Sequence, residues 1–318
     1  MPLLRFIPET TNVDFVKWRF VAFAIDGLLV VIAVLSIAIH GFNLGIDFTG
    51  GVLLEVKAAQ TIDVGKVRAD VSSLEFNETQ VQYFGGGACD TPVNSCVMIR
   101  VQPKANQAGS AVSDLIKQKL GPAYTFRNAQ VIGPKVSGEL FQDGIVATIL
   151  AVIMISIYVA VRFEWQYGVG ALIATGHDVF VTAGFYSFLN WIGYDIDFTI
   201  NTVAALLLLA GYSINDTVVV FDRLRENRRK YKRMALRDMI NLSTNQIATR
   251  TTLVSFATAV SVVPLLFGGP VLLNFSIAIL FGILIGTFSS TYVAAALLLY
   301  LPAVGGKSDS SSTTEATA

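Results

Sequence analysis

The sequence has few charged residues, few cysteines and none of the short motifs that mark most enzymes. Charged side chains make up 14% of its 318 residues, whereas soluble domains usually have about a quarter. It contains no HExxH, no GxSxG, no phosphate-binding glycine loop followed by lysine, and no Cys/His metal pattern. The formal net charge is zero, so its charge does not point to nucleic acid. These absences disfavour a soluble domain, an enzyme, a metalloprotein and a nucleic-acid-binding protein.

Long apolar runs are the main feature of the sequence. Hydrophobic residues make up 53% of it, and they gather in runs of about 18 residues or more, which is long enough to cross a bilayer. No charged residue occurs between Arg250 and Lys307, and a Gly-Gly-Pro sequence at 268–270 divides that stretch. We therefore predict a polytopic α-helical membrane protein with six transmembrane helices, at about residues 20–40, 144–161, 167–188, 198–221, 251–267 and 272–300.

Lysine and arginine accumulate on one side of the predicted spans. They occur in the N-terminal segment 1–19, at Arg162, and densely in the segment 222–246. The connections around residues 190–194 and 268–271 have none. Because positively charged loops stay in the cytoplasm, we expect both termini to be cytoplasmic. We expect the last five spans to form one bundle over residues 143–302, followed by a disordered Ser/Thr-rich tail at 303–318.

One connection is long enough to form a small domain outside the cytoplasm. It covers residues 41–142, between the first two spans. Alternating apolar residues predict strands at 79–84 and 96–101, and the segments 52–56 and 124–132 are also predicted to be strands. Helical spacing predicts helices at 62–74 and 111–120. The resulting β-α-β-β-α-β order is that of the ferredoxin-like α+β fold.

Both cysteines of the chain fall in this predicted domain. Cys89 and Cys96 flank a turn-rich segment between the two middle strands. Outside the cytoplasm a disulfide closing this connection is favoured, and a pair of free thiols is the alternative. Neither histidine of the chain lies near them in the sequence, which argues against a metal site.

Few ionisable residues fall inside the predicted spans, and such residues are candidates for function because they are costly to bury. Asp26 lies close to the cytoplasmic end of span one, so we expect its side chain to reach the interface. His177 and Asp178 lie near the middle of span three. Adjacent residues on a helix point about 100° apart, so we do not expect these two to pair. They serve either function or hydrogen bonding between helices.

Asp216 and Arg250 are the strongest candidates. They lie about 8 Å and about 6 Å inside the cytoplasmic ends of consecutive spans, at depths that would permit an ion pair. A carboxylate between a cationic partner and an apolar surrounding can load and release protons. Thr251, Ser255 and Thr258 form a polar stripe on the fifth span, which can solvate a proton route or join helices. The alternative is an inert structural salt bridge.

Two longer motifs carry a resemblance to a known family. The sequence GIDFTGG, residues 45–51, follows the first span, and GYSINDTVVVFDRLREN, residues 211–227, covers the end of the fourth. With six spans, one outside domain after the first and a basic segment after the fourth, they closely resemble the SecF family of the bacterial SecD–SecF protein-export complex. The residues that carry the first motif are Gly45, Asp47, Phe48, Thr49, Gly50 and Gly51. By its position we interpret it as the turn into the first outside strand.

The resemblance implies a half of a resistance-nodulation-division (RND) transporter, located in the bacterial inner membrane and paired with SecD. It implies that the protein uses the proton-motive force to promote preprotein export after the SecYEG channel and SecA have driven translocation. The implied partners are SecD, SecYEG with its small membrane subunits, and unfolded preprotein. Protons are the coupling ion, and no cofactor is implied. The implied proton pathway is Asp216 and Arg250, followed by His177, Asp178, Ser213 and Asn215.

Two other functions are compatible with the residues. One is a proton-coupled exporter of small molecules or lipids of the RND type, although such exporters normally need two six-span halves and larger outside domains. The other is a passive assembly scaffold. A scaffold predicts that Asp216 and Arg250 tolerate neutral replacement.

Overall fold

The computed structural model describes residues 11–84, 89, 92–104, 107–194, 196–268 and 270–302. The predicted tail at 303–318 and the first ten residues lie outside the described residues. Six helices in the described part are long and apolar enough to cross a membrane, which confirms the predicted fold class. We name them spans one to six: Arg19–His40, Pro134–Arg162, Trp165–Trp191, Ile200–Lys230, Leu236–Phe267 and Leu272–Leu297.

Three helices extend beyond their predicted apolar parts. Span two begins at Pro134, inside the range predicted for the outside domain, because proline suits the first helical turn and the polar residues after it do not end the helix. Span four continues to Lys230, and span five begins at Leu236. The predicted basic segment 222–246 is therefore largely helical, and basic residues in the last turn of span four complement the helix dipole.

Span four is one of two central helices of the bundle, together with span three, whose most apolar stretch is 56% buried. Span four contacts spans two, three, five and six. Half of the most apolar stretch of span four is buried. In span five, 11% of the corresponding stretch is buried. Small residues allow close approach of the other helices: Gly184 of span three faces Ala33 of span one, and Gly282 of span six faces Leu209.

The segment before span one is held against the start of span five. Asn245 donates to the backbone oxygen of Val13, and Asn241 donates to Asp14. The backbone N–H of Lys17 also donates to Asp14, and these two bonds hold the pKa of Asp14 below its usual value.

Between spans one and two lie a one-turn helix, Ile46–Thr49, and a four-stranded antiparallel sheet with two longer helices. The strands are β1 (Gly51–Ala58), β2 (Glu78–Tyr83), β3 (Cys96–Gln102) and β4 (Tyr124–Ile132), in the order β2-β3-β1-β4. The longer helices are α1 (Val64–Ser72) and α2 (Gly109–Leu120). This confirms the predicted β-α-β-β-α-β order. Helix α1 begins later than predicted because Asp63 caps it, accepting from the N–H groups of Gly65 and Lys66.

Alternation along the strands builds the core of this sheet domain. Val52, Leu54 and Val56 of β1 are buried on one face, with Val67 of α1 and Ile116 of α2 in the same apolar cluster. Cys89 and Cys96 form a disulfide, with their Cα atoms 5.2 Å apart. It closes the connection between β2 and β3. Of the two alternatives that the sequence left open, the structure therefore has the disulfide rather than the pair of free thiols.

Candidate functional site

The glycine-rich motif joins the end of span one to the start of span four. Gly45 donates to the backbone oxygen of Phe198 at 2.9 Å, and Phe198 donates to the backbone oxygen of Asn43 at 2.7 Å. Asp47 accepts from the N–H of Ile200 at 3.0 Å, one of the unpaired donors at the N-terminus of span four. The predicted turn into β1 is present. The motif also holds the start of span four, a contact that its sequence does not indicate.

Two glycines of the motif are required by the backbone. Gly50 and Gly51 have φ values of 72° and 142°, a region that favours glycine. A Cβ at Gly51 would lie 2.7 Å from the backbone oxygen of Val101. These glycines therefore let β1 begin directly beside β3, shortly after the end of span one.

An ion pair between Arg100 and Asp197 connects the sheet domain to the membrane bundle. Their side chains are 11% and 9% exposed. Asn43 donates to Asp197 Oδ1 at 3.0 Å, and Asn274 of span six donates to the Asp197 backbone oxygen at 3.1 Å. Sequence reasoning missed this junction, because its members lie far apart in the chain. The only local signal is a charged side chain within the apolar strand β3.

Asp178 lies at the centre of a polar cluster that joins spans three, four and six. Its side chain is fully buried. Oδ2 accepts from Ser213 at 2.5 Å and from Ser289 at 2.8 Å. His177 Nδ1 lies 3.1 Å from Asp178 Oδ1, so the expectation that these neighbours do not pair was wrong. The imidazole side chain is long enough to reach the carboxylate of the next residue in the helix.

Asp26 does not reach the interface as predicted. It is 6% exposed, and its Oδ1 lies 3.9 Å from His177 Nε2. Span one packs on span three through one stripe of small residues, and Asp26 falls on that stripe with Ala22, Ala33 and Ser36. The spacing of these small residues was the signal that could have located it.

Asp216 is buried on span four, with 3% of its surface exposed. Ser255 of span five donates to its Oδ2 at 3.4 Å. Ser255 in turn accepts from Tyr212 at 3.1 Å and from Thr287 at 2.7 Å. Of the predicted polar stripe, Ser255 therefore reaches Asp216, whereas Thr258 is half-buried and donates to its own helix.

Arg250 and Asp216 do not form an ion pair in the part of the chain that the structure describes. Arg250 is exposed, and Asn215 is exposed on span four. Ser213 contacts Asp178 rather than Asp216. Two buried carboxylates therefore lie on or against the same helical turn of span four. Asp216 is part of span four, and Asp178 of span three is bonded to Ser213 of span four.

The fold and this arrangement define a class of membrane transport component: a six-span helical bundle with buried carboxylates and one small α+β domain between its first two spans. Family models describe the class further. The SecD/SecF C-terminal model matches residues 112–303, and the SecD/SecF GG motif model matches residues 35–62.

Individual relatives agree with these family models. The chain is 37% identical over 310 residues to protein translocase subunit SecF of Rhodobacter capsulatus, covering 94% of this chain and 91% of that protein. It is 39% identical over 311 residues to the same subunit of Cereibacter sphaeroides, with 94% and 92% covered. The chain therefore belongs to the SecF family of protein translocase subunits, which are components of protein export.

Solved structures of SecDF proteins have the same fold. The translocon-associated SecDF from Thermus thermophilus superposes with a TM-score of 0.79 at 31% identity, covering 93% of this chain and 39% of that one. A SecDF in a super-membrane-facing form gives a TM-score of 0.65, covering 94% of this chain and 40% of that one. The chain thus spans about two fifths of the length of these SecDF chains.

Proposed function

We propose that this chain is the SecF component of a proton-driven export complex in the bacterial inner membrane, with both termini in the cytoplasm. With a SecD-like partner it uses the proton-motive force to promote preprotein export after SecYEG and SecA have driven translocation. It is a transport component rather than an enzyme, with protons as the coupling ion and no cofactor. The observation that carries the proposal is the Asp216 carboxylate, 3% exposed inside a membrane-spanning helix.

The surroundings of Asp216 favour exchange of a proton. An ionised carboxylate buried with one hydrogen bond of 3.4 Å is costly, and a proton removes that cost. Arg250 lies on the adjacent span and is exposed. After Asp216 releases its proton, pairing with Arg250 would stabilise the charge. Spans four and five then repack between two arrangements, one held by Ser255 and one by Arg250.

The second polar cluster belongs to the same proposed pathway. Ser213 lies one turn from Asp216 on span four and donates to Asp178. His177 continues the cluster toward span one. Asn215 lies beside Asp216 on the exposed side of span four, where a partner helix could reach it.

Movement of span four can reach the sheet domain through the observed contacts. The N-terminus of span four is bonded to Asp47, and the residues before it include Asp197, the partner of Arg100. A shift of span four therefore acts on the sheet domain at its junction with the membrane. We propose that the resulting domain motion pulls on unfolded preprotein at the outer face.

The partner and orientation rest on two further observations. The solved SecDF chains are longer than this chain, which matches two fifths of them. A separate SecD-like chain would supply the remainder, and the complex would act beside SecYEG and its small membrane subunits. The arginines and lysines of residues 222–246 support a cytoplasmic location for that side.

The test is completion of preprotein translocation in inverted membrane vesicles, measured with and without a proton-motive force. The variants are Asp216→Asn and Arg250→Met, each with the SecD-like partner present and assembly checked by pull-down. The matched control is Asp222→Asn, because Asp222 lies on the same helix and is exposed. We expect both test variants to assemble and to lose the stimulation, and the control to keep it. Full stimulation in both test variants would instead support the scaffold alternative.

A further inference from the structure

The contact between spans one and three contains a buried acid and a buried base whose facing polar atoms lack hydrogen-bond partners among the described residues. Neither carboxylate oxygen of Asp26 has a hydrogen-bond partner among the described residues, and neither has His177 Nε2. The two side chains are 9% and 14% exposed, and Asp26 Oδ1 lies 3.9 Å from His177 Nε2. Buried polar groups are normally hydrogen-bonded, so this pair requires an explanation.

The protonation of His177 decides whether this cluster is stable. A neutral imidazole has one donor nitrogen and one acceptor nitrogen. His177 Nδ1 faces Asp178 Oδ1 at 3.1 Å, and Nε2 faces Asp26. Whichever nitrogen holds the single proton of the neutral ring, the other directs a lone pair at a carboxylate. Only the imidazolium donates toward both acids.

The charge balance leads to the same conclusion. With neutral His177 and both acids ionised, the cluster would hold two carboxylates without a cation. Asp178 has further donors in Ser213 and Ser289, whereas among the described residues Asp26 has no other hydrogen-bond donor. An unpaired buried charge is costly. One additional proton on the cluster places a cation between the two acids.

We propose that Asp26, His177 and Asp178 form a second proton-binding site, distinct from Asp216, that fastens span one to span three when His177 is protonated. The existence of the site does not depend on the proposed export function, whereas its use does. Span one leads from Asp26 through His40 into the glycine-rich motif and β1. Loss of the proton loosens the contact of span one with the bundle, and span one carries the sheet domain.

The experiment is a double-mutant cycle on the purified complex with its partner. The midpoint of thermal unfolding is measured for wild type, Asp26→Asn, His177→Gln and the double variant, at several pH values from about 5 to about 9, which bracket the usual titration of histidine. The cycle isolates the interaction of the two side chains from changes elsewhere. The groups facing His177 are Asp26 on span one and Asp178 on its own span. Asp178 in turn accepts hydrogen bonds from hydroxyl groups of spans four and six, and it is not mutated in any variant of the cycle.

We expect a stabilising interaction at low pH that disappears as the pH rises through the range in which His177 loses its proton. The cycle repeated in an Asp216→Asn background should give the same interaction, which separates this site from Asp216. If Asp26→Asn does not assemble, Asp26→Glu keeps the charge, and its complex should retain the pH dependence of wild type. An interaction of zero at every pH, or one that does not change with pH, overturns the proposal.

Discussion

At the scale of single residues, the buried Asp216 carboxylate depends on one hydroxyl. Ser255 donates to it, and Ser255 is itself positioned by Tyr212 and Thr287. A hydrogen bond to a charged group contributes about 1.5–3 kcal/mol. Ser255→Ala should therefore disfavour the ionised form of Asp216. We expect stimulation of export by the proton-motive force to fall by roughly tenfold or more, with assembly retained.

The control for this prediction is Thr258→Ala. Thr258 lies on the same helix, but it is half-buried and donates only to the Val254 backbone oxygen in the described structure. Stimulation should be near wild type in this variant, measured in the same vesicles. Equal losses in the two variants would mean that the stripe acts through the stability of span five rather than through Asp216.

At the scale of elements, the sequence was sufficient where a pattern lies within one segment. The six spans follow from apolar length, and β2 and β3 follow from alternation. The ends of elements were less accurate, because Pro134 and the charged residues after Phe221 continue helices into polar sequence. Such extensions depend on caps and neighbouring elements rather than on hydrophobicity.

The candidate site was predicted only in part, for the same physical reason. Asp216 was singled out because burial of a charge in a span is costly wherever its neighbours lie. Its hydrogen bond to Ser255, the contact of Asp26 with His177, and the pairing of Arg100 with Asp197 depend on which helices meet and on which faces. A single sequence does not specify those contacts.

The start of span four provides a prediction at this scale. Asp47 accepts from the N–H of Ile200 and so caps the helix from a different part of the chain. Removing such a cap costs about 0.5–2 kcal/mol. Asp47→Ala should lower the midpoint of thermal unfolding of the purified complex by a few degrees. Asp114→Ala serves as the control, since Asp114 is exposed on α2 and pairs with Lys117 on the surface. A control variant with the same loss as Asp47→Ala would contradict a specific role for the cap.

At the scale of the whole molecule, the central question is how a change in the membrane reaches the sheet domain. The chain offers a covalent route through spans one and two, and a noncovalent route at the start of span four, through the Asp47 contact and the Arg100–Asp197 ion pair. The second route is short, because Asp197 lies three residues before Ile200. It is also largely buried, so removing one partner would leave an uncompensated charge in the protein.

Breaking the ion pair should therefore uncouple the domain without removing Asp216. Truncating one partner of a buried pair costs about 3–5 kcal/mol. Arg100→Met should raise hydrogen exchange in β3 and in the residues before span four, and should abolish stimulation of export. Adding Asp197→Asn should restore part of the protection, because the unpaired acid is then gone. Lys104→Met is the control, because its pair with Glu75 is exposed and contributes little. If Arg100→Met keeps full stimulation despite faster exchange, the force must instead pass through the Asp47 contact or along spans one and two, which are joined covalently to the sheet domain.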